Sequence, residues 1–275
     1  MIDLTLPATP TTPQQTVNLS RFLGYPGHKD PSPEALAAIG LDESTNMVYF
    51  KQVLAELGPE MLQSSASVCT HQATRLHKEL EITIDDPRQH LPTHMLAVWG
   101  NFQKPTERCK VTMHPVHNSV LSVYCANLPP LPTPDMPLDR SSGVKYTVPV
   151  VPLGVPSPTT FPRLCNYLYT KDYHSLFQSF FPTTPVPTPL KDMGEVERQA
   201  LLITEFARRL SVTYTPQILL VRAMAVKGMW ANTCALGISD HNLLTVLDLA
   251  WEIYINALAM STKTSVKVEP PAAAQ

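Results

Sequence analysis

The sharpest chemical spacing in the chain is His114-x-x-His117. On a helix those two imidazoles share a face, and paired imidazoles are zinc ligands. A structural zinc needs four ligands, and neither a Cys pair nor a His-Glu-x-x-His run completes the set. At a strand-to-helix corner the same imidazoles would instead satisfy helix-end groups, so no metal and no other cofactor is expected. Cys125 and Cys165 are the candidate nucleophiles of a Cys–His hydrolase. Both fall in apolar helical stripes, where a cysteine is a small inert filler. Glu79 and Glu81, or Asp85 and Asp86, could pair as acids, but on the wet face of an edge strand they are solvated carboxylates. His71, His77, His90 and His94 are dispersed over loops and strand ends, in solvated or capping roles. Nucleophile elbow, Gly-rich phosphate loop and dinucleotide fingerprint are all missing, so no catalytic residue is assigned.

Modification chemistry is better represented. Val266-Lys267-Val268-Glu269 matches the hydrophobic-Lys-x-acid pattern, which makes Lys267 a candidate SUMO acceptor. Thr9, Thr12, Ser32, Thr133, Thr184 and Thr188 each precede a proline in an expected loop, the dipeptide that proline-directed kinases select.

With 44% hydrophobic and 16% charged residues, the body is globular. The formal charge of -2 supplies no basic field for gripping nucleic acid. Five cysteines without a CxxC pair are expected as buried thiols in a reducing compartment. No charged-then-apolar leader opens the chain, and the apolar run Leu243 to Met260 is interrupted by Asp248, Glu252 and Asn256. That run reads as a core helix and not a membrane span. The expectation is an intracellular protein, nuclear or cytoplasmic, with no membrane partner.

The histidines and cysteines must be positioned by elements legible from periodicity. Val120, Leu121, Tyr124 and Leu128 recur at helical spacing after a short strand. Phe161, Leu164, Cys165, Leu168 and Tyr169 do so after the strand-like run Thr147 to Leu153. These are the expected core. Asn46 caps a helix through Phe50, Val53, Leu54, Leu57 and Met61, and the Asn46–Leu62 helix is a candidate surface for a second copy. Leu80, Ile82 and Ile84 alternate as a half-buried strand, with further strands at Met95–Trp99 and Val111–Met113. Thr159 or Thr160 caps the second core helix. A short aromatic helix after Tyr173 buries Leu176, Phe177, Phe180 and Phe181. The last third is helical: a stripe from Val196 to Leu210, a helix from Thr215-Pro216 to Gly228, a short one from Trp230 to Leu236, and a long one capped by Asp240.

Prolines, 28 against 10 glycines, mark the breaks. The expected organisation is a mostly disordered Pro/Thr-rich tail over 1–45 and one α+β domain over 46–260. That domain carries Pro-rich insertions near 128–146 and 182–192, and a disordered tail over 261–275 follows.

The strand, helix, strand, helix order of Lys110–Leu128, Thr147–Leu153 and Phe161–Thr170 resembles the BTB/POZ interaction fold, a small sheet packed by helices, here with a C-terminal helical extension. Gly58–Leu62, Leu91–Ala97, Val111–Leu128, Pro156–Phe161, Tyr167–Lys171, Cys234–Gly237 and Asp248–Glu252 are similar to the clampless family of basidiomycete fungi. That resemblance implies a regulator of sexual development, active in clamp-cell formation and dikaryon growth, without enzymatic activity. The expected partners are other proteins, transcription or cell-cycle regulators, with no direct nucleic-acid contact. A cullin ubiquitin-ligase adaptor and a metal-dependent hydrolase are the alternatives. The proline-rich insertions and the absence of an attached effector domain count against the adaptor.

Overall fold

The computed structural model describes residues 2–5, 16–25, 27–42, 44–69, 76–84, 90–101, 110–129, 131–136, 143–181 and 195–262. Its contacts divide the chain into two compact units. One comprises Pro26–Asp172 and Ala231–Ser239; the other comprises Met1–Tyr25, Tyr173–Trp230 and Asp240–Gln275. The sequence suggested one body from 46 to 260 behind a tail. Instead, the first 45 residues contribute ordered elements to both units.

In chain order, β1 (Ile2–Thr5) pairs antiparallel with β2 (Thr16–Leu19), and a short α1 follows (Pro33–Ala37). The Ser32 hydroxyl caps α1 by accepting the Ala35 N–H at 3.1 Å. Helix α2 (Met47–Ala66) starts where expected, with the Asn46 carboxamide accepting from the N–H groups of Val48 and Tyr49. Then come β3 (Val68–Cys69), β4 (Glu79–Ile84), β5 (His94–Gly100), β6 (Thr112–Val116), α3 (Asn118–Tyr124), β7 (Val144–Val155) and α4 (Phe161–Thr170).

The five strands β3 to β7 form one sheet in the order β3-β4-β7-β5-β6. Strand β7 holds it together by changing partner midway. Its Val144–Pro149 half runs antiparallel to β4, and its Val150–Val155 half runs parallel to β5. Burial alternates as Tyr146, Val148, Val150 and then Val151, Leu153, Val155, so the inward phase slips by one residue where the partner changes. This explains two prolines in what reads as a central strand. Among the described residues each half has a ladder on one edge only, and a proline is tolerated where no N–H is required. Pro115 lies in β6, at the end of the strand order.

One core cluster joins Ile82, Ile84, Leu91, Met95, Ala97, Tyr146, Val148 and Val150. Val120, Leu121, Phe161, Leu164 and Leu168 are all buried as well. Tyr124 and Leu128 are only half-buried, because α3 ends at Tyr124 and Leu128 lies in the segment beyond. Val123 and Cys125 are buried in their place. Tyr124 is covered by a cation: Lys171, held at φ 51 where α4 ends, sets its Nζ 3.2 Å from the ring centroid.

The second unit adds α5 (Tyr173–Phe180), α6 (Glu195–Thr213), the first part of α7 (Pro216–Leu236) and α8 (His241–Thr262). Asp240 caps α8, accepting the Leu243 N–H at 3.1 Å. By length and composition α8 could cross a membrane, with a mean hydropathy of 1.4, yet 67% of that apolar window is buried. Its Tyr254 stacks on Phe181 at 5.1 Å, and Phe181 lies 5.0 Å from Phe206 of α6. Helix α7 runs unbroken through Gly228, where the sequence suggested a stop. A glycine inside a helix costs about 1 kcal/mol, and the fully buried Val226 and Met229 on either side hold the helix through it. Gly237, at φ 67, ends it.

Gly58 marks a close approach of α2 to α4. A Cβ there would sit 1.9 Å from the backbone oxygen of Tyr169. In an open helix, Gly→Ala raises stability by up to about 1 kcal/mol. Here Gly58→Ala is expected to lower it by about 1–3 kcal/mol, because the backbone must move apart. A urea midpoint above wild type would show that the two helices are not in contact at this point.

Candidate functional site

Two histidines, His94 and His117, meet at the corner where β6 turns into α3. The segment His90-Leu91-Pro92-Thr93-His94 lies beside it and is poor in donors, since proline has no N–H. Its carbonyls are taken by side chains. His117 Nε2 donates to the His90 carbonyl at 3.2 Å, and the Tyr146 hydroxyl donates to the Pro92 carbonyl at 2.7 Å. Further along, His94 Nε2 donates to the Pro132 carbonyl at 2.7 Å. A carbonyl only accepts, so these bonds fix both imidazoles as Nε2–H tautomers with Nδ1 as acceptor. His117 Nδ1 then accepts from the Tyr169 hydroxyl at 3.0 Å, while the His117 backbone N–H donates to that same oxygen at 2.9 Å. His94 Nδ1 accepts from the Thr93 hydroxyl at 2.9 Å.

The Thr93 oxygen in turn accepts the Asn118 N–H at 2.7 Å and so satisfies the first turn of α3. The sequence suggested His114 and His117 for that role. His117 does occupy the N-cap position, but its ring makes no capping bond. His94 was expected among solvated or capping histidines and is fully buried. His114 lies apart from His117, with its Nε2 3.0 Å from the Thr112 hydroxyl and its ring edge-on to Phe161. Among the described residues no three His, Cys, Asp or Glu side chains converge as metal ligands.

Burial sets the electrostatics. It pushes the His117 pKa down to about 4 and lowers those of His94 and His114. The Cys125 and Cys165 thiols are pushed up to about 12, so neither is a thiolate at neutral pH. Burial also raises the Tyr146 and Tyr169 hydroxyls, which stay protonated as donors. His94 and His117 thus have both ring nitrogens engaged in a buried network, and the two thiols beside it stay protonated.

A different feature opens to solvent. A groove of ≈ 310 Å³ is lined by Ser32, Glu34, Ala35 and Ala38 of the α1 region, Asn118 and Ser122 of α3, and apolar residues after it that include Leu128 and Leu131. The Ser122 hydroxyl donates to Asn118 Oδ1 at 2.5 Å, setting a hydroxyl and a carboxamide among apolar walls. That volume is at the small end for ligand pockets and suits one or two side chains of a docked peptide. Sequence reasoning missed the groove, because its α1 wall lies in a segment expected to be a tail.

Of the modification candidates, Ser32 is the α1 cap at the groove and Thr133 is exposed. Thr9, Thr12, Thr184, Thr188 and Lys267 lie outside the described residues, as do Asp85 and Asp86. Glu79 and Glu81 are exposed on β4. That strand is not an edge in the sheet order, although β3 covers only Thr83 and Ile84.

Two family models match, the Clampless protein 1 N-terminal domain over residues 28–156 and the Clampless protein 1 C-terminal domain over residues 174–274. The chain belongs to the clampless family. The gap between the two clampless models contains the junction at Asp172 and Tyr173 where the sheet unit gives way to the helical one. No curated protein and no solved structure matches the chain, and the BTB/POZ resemblance gains no support from them.

The neutral His117 makes a pH prediction. Its folded pKa lies below the unfolded value of 6.5, so the unfolded chain binds the extra proton. The stability it confers is complete above about pH 6.5 and is lost as pH falls towards about 4, some ~3 kcal/mol in all. Urea midpoints of wild type and His117→Gln, compared between neutral and mildly acidic pH, should show the shallower dependence in the variant. Equal slopes would mean that His117 is not held neutral.

Proposed function

We propose that this chain is a non-enzymatic protein-interaction regulator of sexual development, acting in clamp-cell formation and dikaryon growth by binding transcription or cell-cycle regulators. Membership of the clampless family supports the developmental role. The interaction role rests on one observation: His94 and His117 commit both ring nitrogens to internal hydrogen bonds, while the groove beside α1 and α3 offers largely apolar walls with a carboxamide, hydroxyls and the Glu34 carboxylate. Reading the sheet unit as POZ-like belongs to the same proposal and rests on the order β6, α3, β7, α4. A nuclear or cytoplasmic location follows from partners of this kind.

Direct DNA binding is disfavoured by charge placement. Arg208 and Arg209, adjacent on α6, both clamp Glu205 with bonds of 2.8–2.9 Å. They hold that carboxyl down at about 2. Cations already paired release few counterions from phosphate.

Affinity purification of the tagged chain from mating cells should recover a transcription or cell-cycle regulator. Ala38→Trp, which fills the groove from an exposed position, should cut that recovery at least tenfold. A cullin as the main partner would favour the adaptor alternative. Substrate turnover by the purified chain would favour the hydrolase.

A further inference from the structure

Helix α7 is apolar on two opposite faces. Leu219, Ala223, Val226 and Met229 are fully buried, while Ile218, Val221 and Met224 remain 44%, 69% and 45% exposed. At about 100° per residue, Ile218, Met224, Ala225 and Gly228 all fall within roughly 60° of Val221. From Ile218 to Gly228 they make one outward apolar stripe, and the exposed Gln217 lies on the same face at its N-terminal end. Gly228 is a poor helix former inside that stripe and does not end the helix, and with Ala225 it leaves the face flat enough for another backbone to approach closely.

Charge indicates what covers the stripe. Pro216–Leu236 contains no Asp or Glu, and its two charges are Arg222 and Lys227. They project about 100–120° to either side of Val221, one along each border of the stripe. Arg222 is steadied over the Tyr214 ring at 4.5 Å. A second copy of this helix would bring four cations together with no acid from either α7, which opposes self-pairing. The complementary shape is a helix with an apolar seam and carboxylates along both margins.

We propose that the outward face of α7 binds an acidic amphipathic helix of a partner protein, with Val221 at the centre of the contact and Arg222 and Lys227 pairing its flanking carboxylates. This rests on the reading of the chain as a protein-interaction regulator and assigns that partner a chemical class and a docking surface separate from the groove.

The test uses the full chain and two fluorescent helical peptides sharing one Leu/Ile seam, flanked by Glu in one and by Lys in the other. Wild type should bind the Glu-flanked peptide at least tenfold more tightly, with affinity falling as salt rises. Val221→Glu changes an exposed residue, so circular dichroism should stay native, and binding should weaken at least tenfold. Arg222→Glu with Lys227→Glu should reverse the preference towards the Lys-flanked peptide. Equal binding of both peptides would overturn the proposal, as would self-association of wild type abolished by Val221→Glu, or equal capture by anionic lipid vesicles. If neither peptide binds while the chain still recovers regulators from cells, this assignment falls and the interaction reading stands.

Discussion

Backbone donors are missing wherever proline stands in this chain, and side chains make up for them at several buried carbonyls. Twenty-eight residues are proline and bring a carbonyl without an N–H. A buried carbonyl left unpaired costs about 1–3 kcal/mol. The chain meets the deficit with long side chains. In the sheet unit, His117, Tyr146 and His94 reach carbonyls at His90, Pro92 and Pro132, and Asn232 reaches that of Ser157, between Pro156 and Pro158. In the helical unit, the Tyr254 hydroxyl takes the Phe180 carbonyl and the Trp230 indole takes that of Gly24. The residues that look most like chemistry in the sequence are the donors that proline-rich backbone requires.

The same constraint shapes the sheet. Strand β7 can carry Pro149 and Pro152 because it gives one edge to β4 and, after the slip at Val150–Val151, the other to β5. A strand paired along both edges throughout would have left carbonyls of its neighbours facing imide nitrogens. The parallel and antiparallel parts of the sheet are therefore joined through one proline-bearing strand, and β6 and α3 hang from it by way of β5.

Legibility in the sequence followed the range of the interactions. Asn46, Asp240 and Thr215-Pro216 were readable because a cap and its helix are adjacent, and Ile82 and Ile84 because a half-buried strand alternates. The histidine roles were not, since the partners of His117 lie 27 and 52 residues away and that of His94 lies 38 away. No local pattern separates an imidazole that donates to a distant carbonyl from one that binds zinc. The five-residue α1 is too short for periodicity to register, so the groove it borders was hidden in an expected tail. Tyr124 and Leu128 fitted a helical stripe, but α3 stops after seven residues and is buried nearly all round, so spacing could not mark its inner face. Gly228 looked like a stop because propensity is local, whereas the packing that carries α7 through it is not.

The neutral, donor-side role of His117 decides between a structural network and a reactive one, and imidazole nitrogen shifts report it directly. A long-range proton–nitrogen correlation spectrum of labelled protein should show His117 as the Nε2–H tautomer, unchanged from about pH 8 to about pH 5.5, because its folded pKa lies near 4. A ring protonated on Nδ1, or one that titrates with a midpoint near 6.5, would show that the imidazole is available for chemistry and is not holding the proline-rich segment in place.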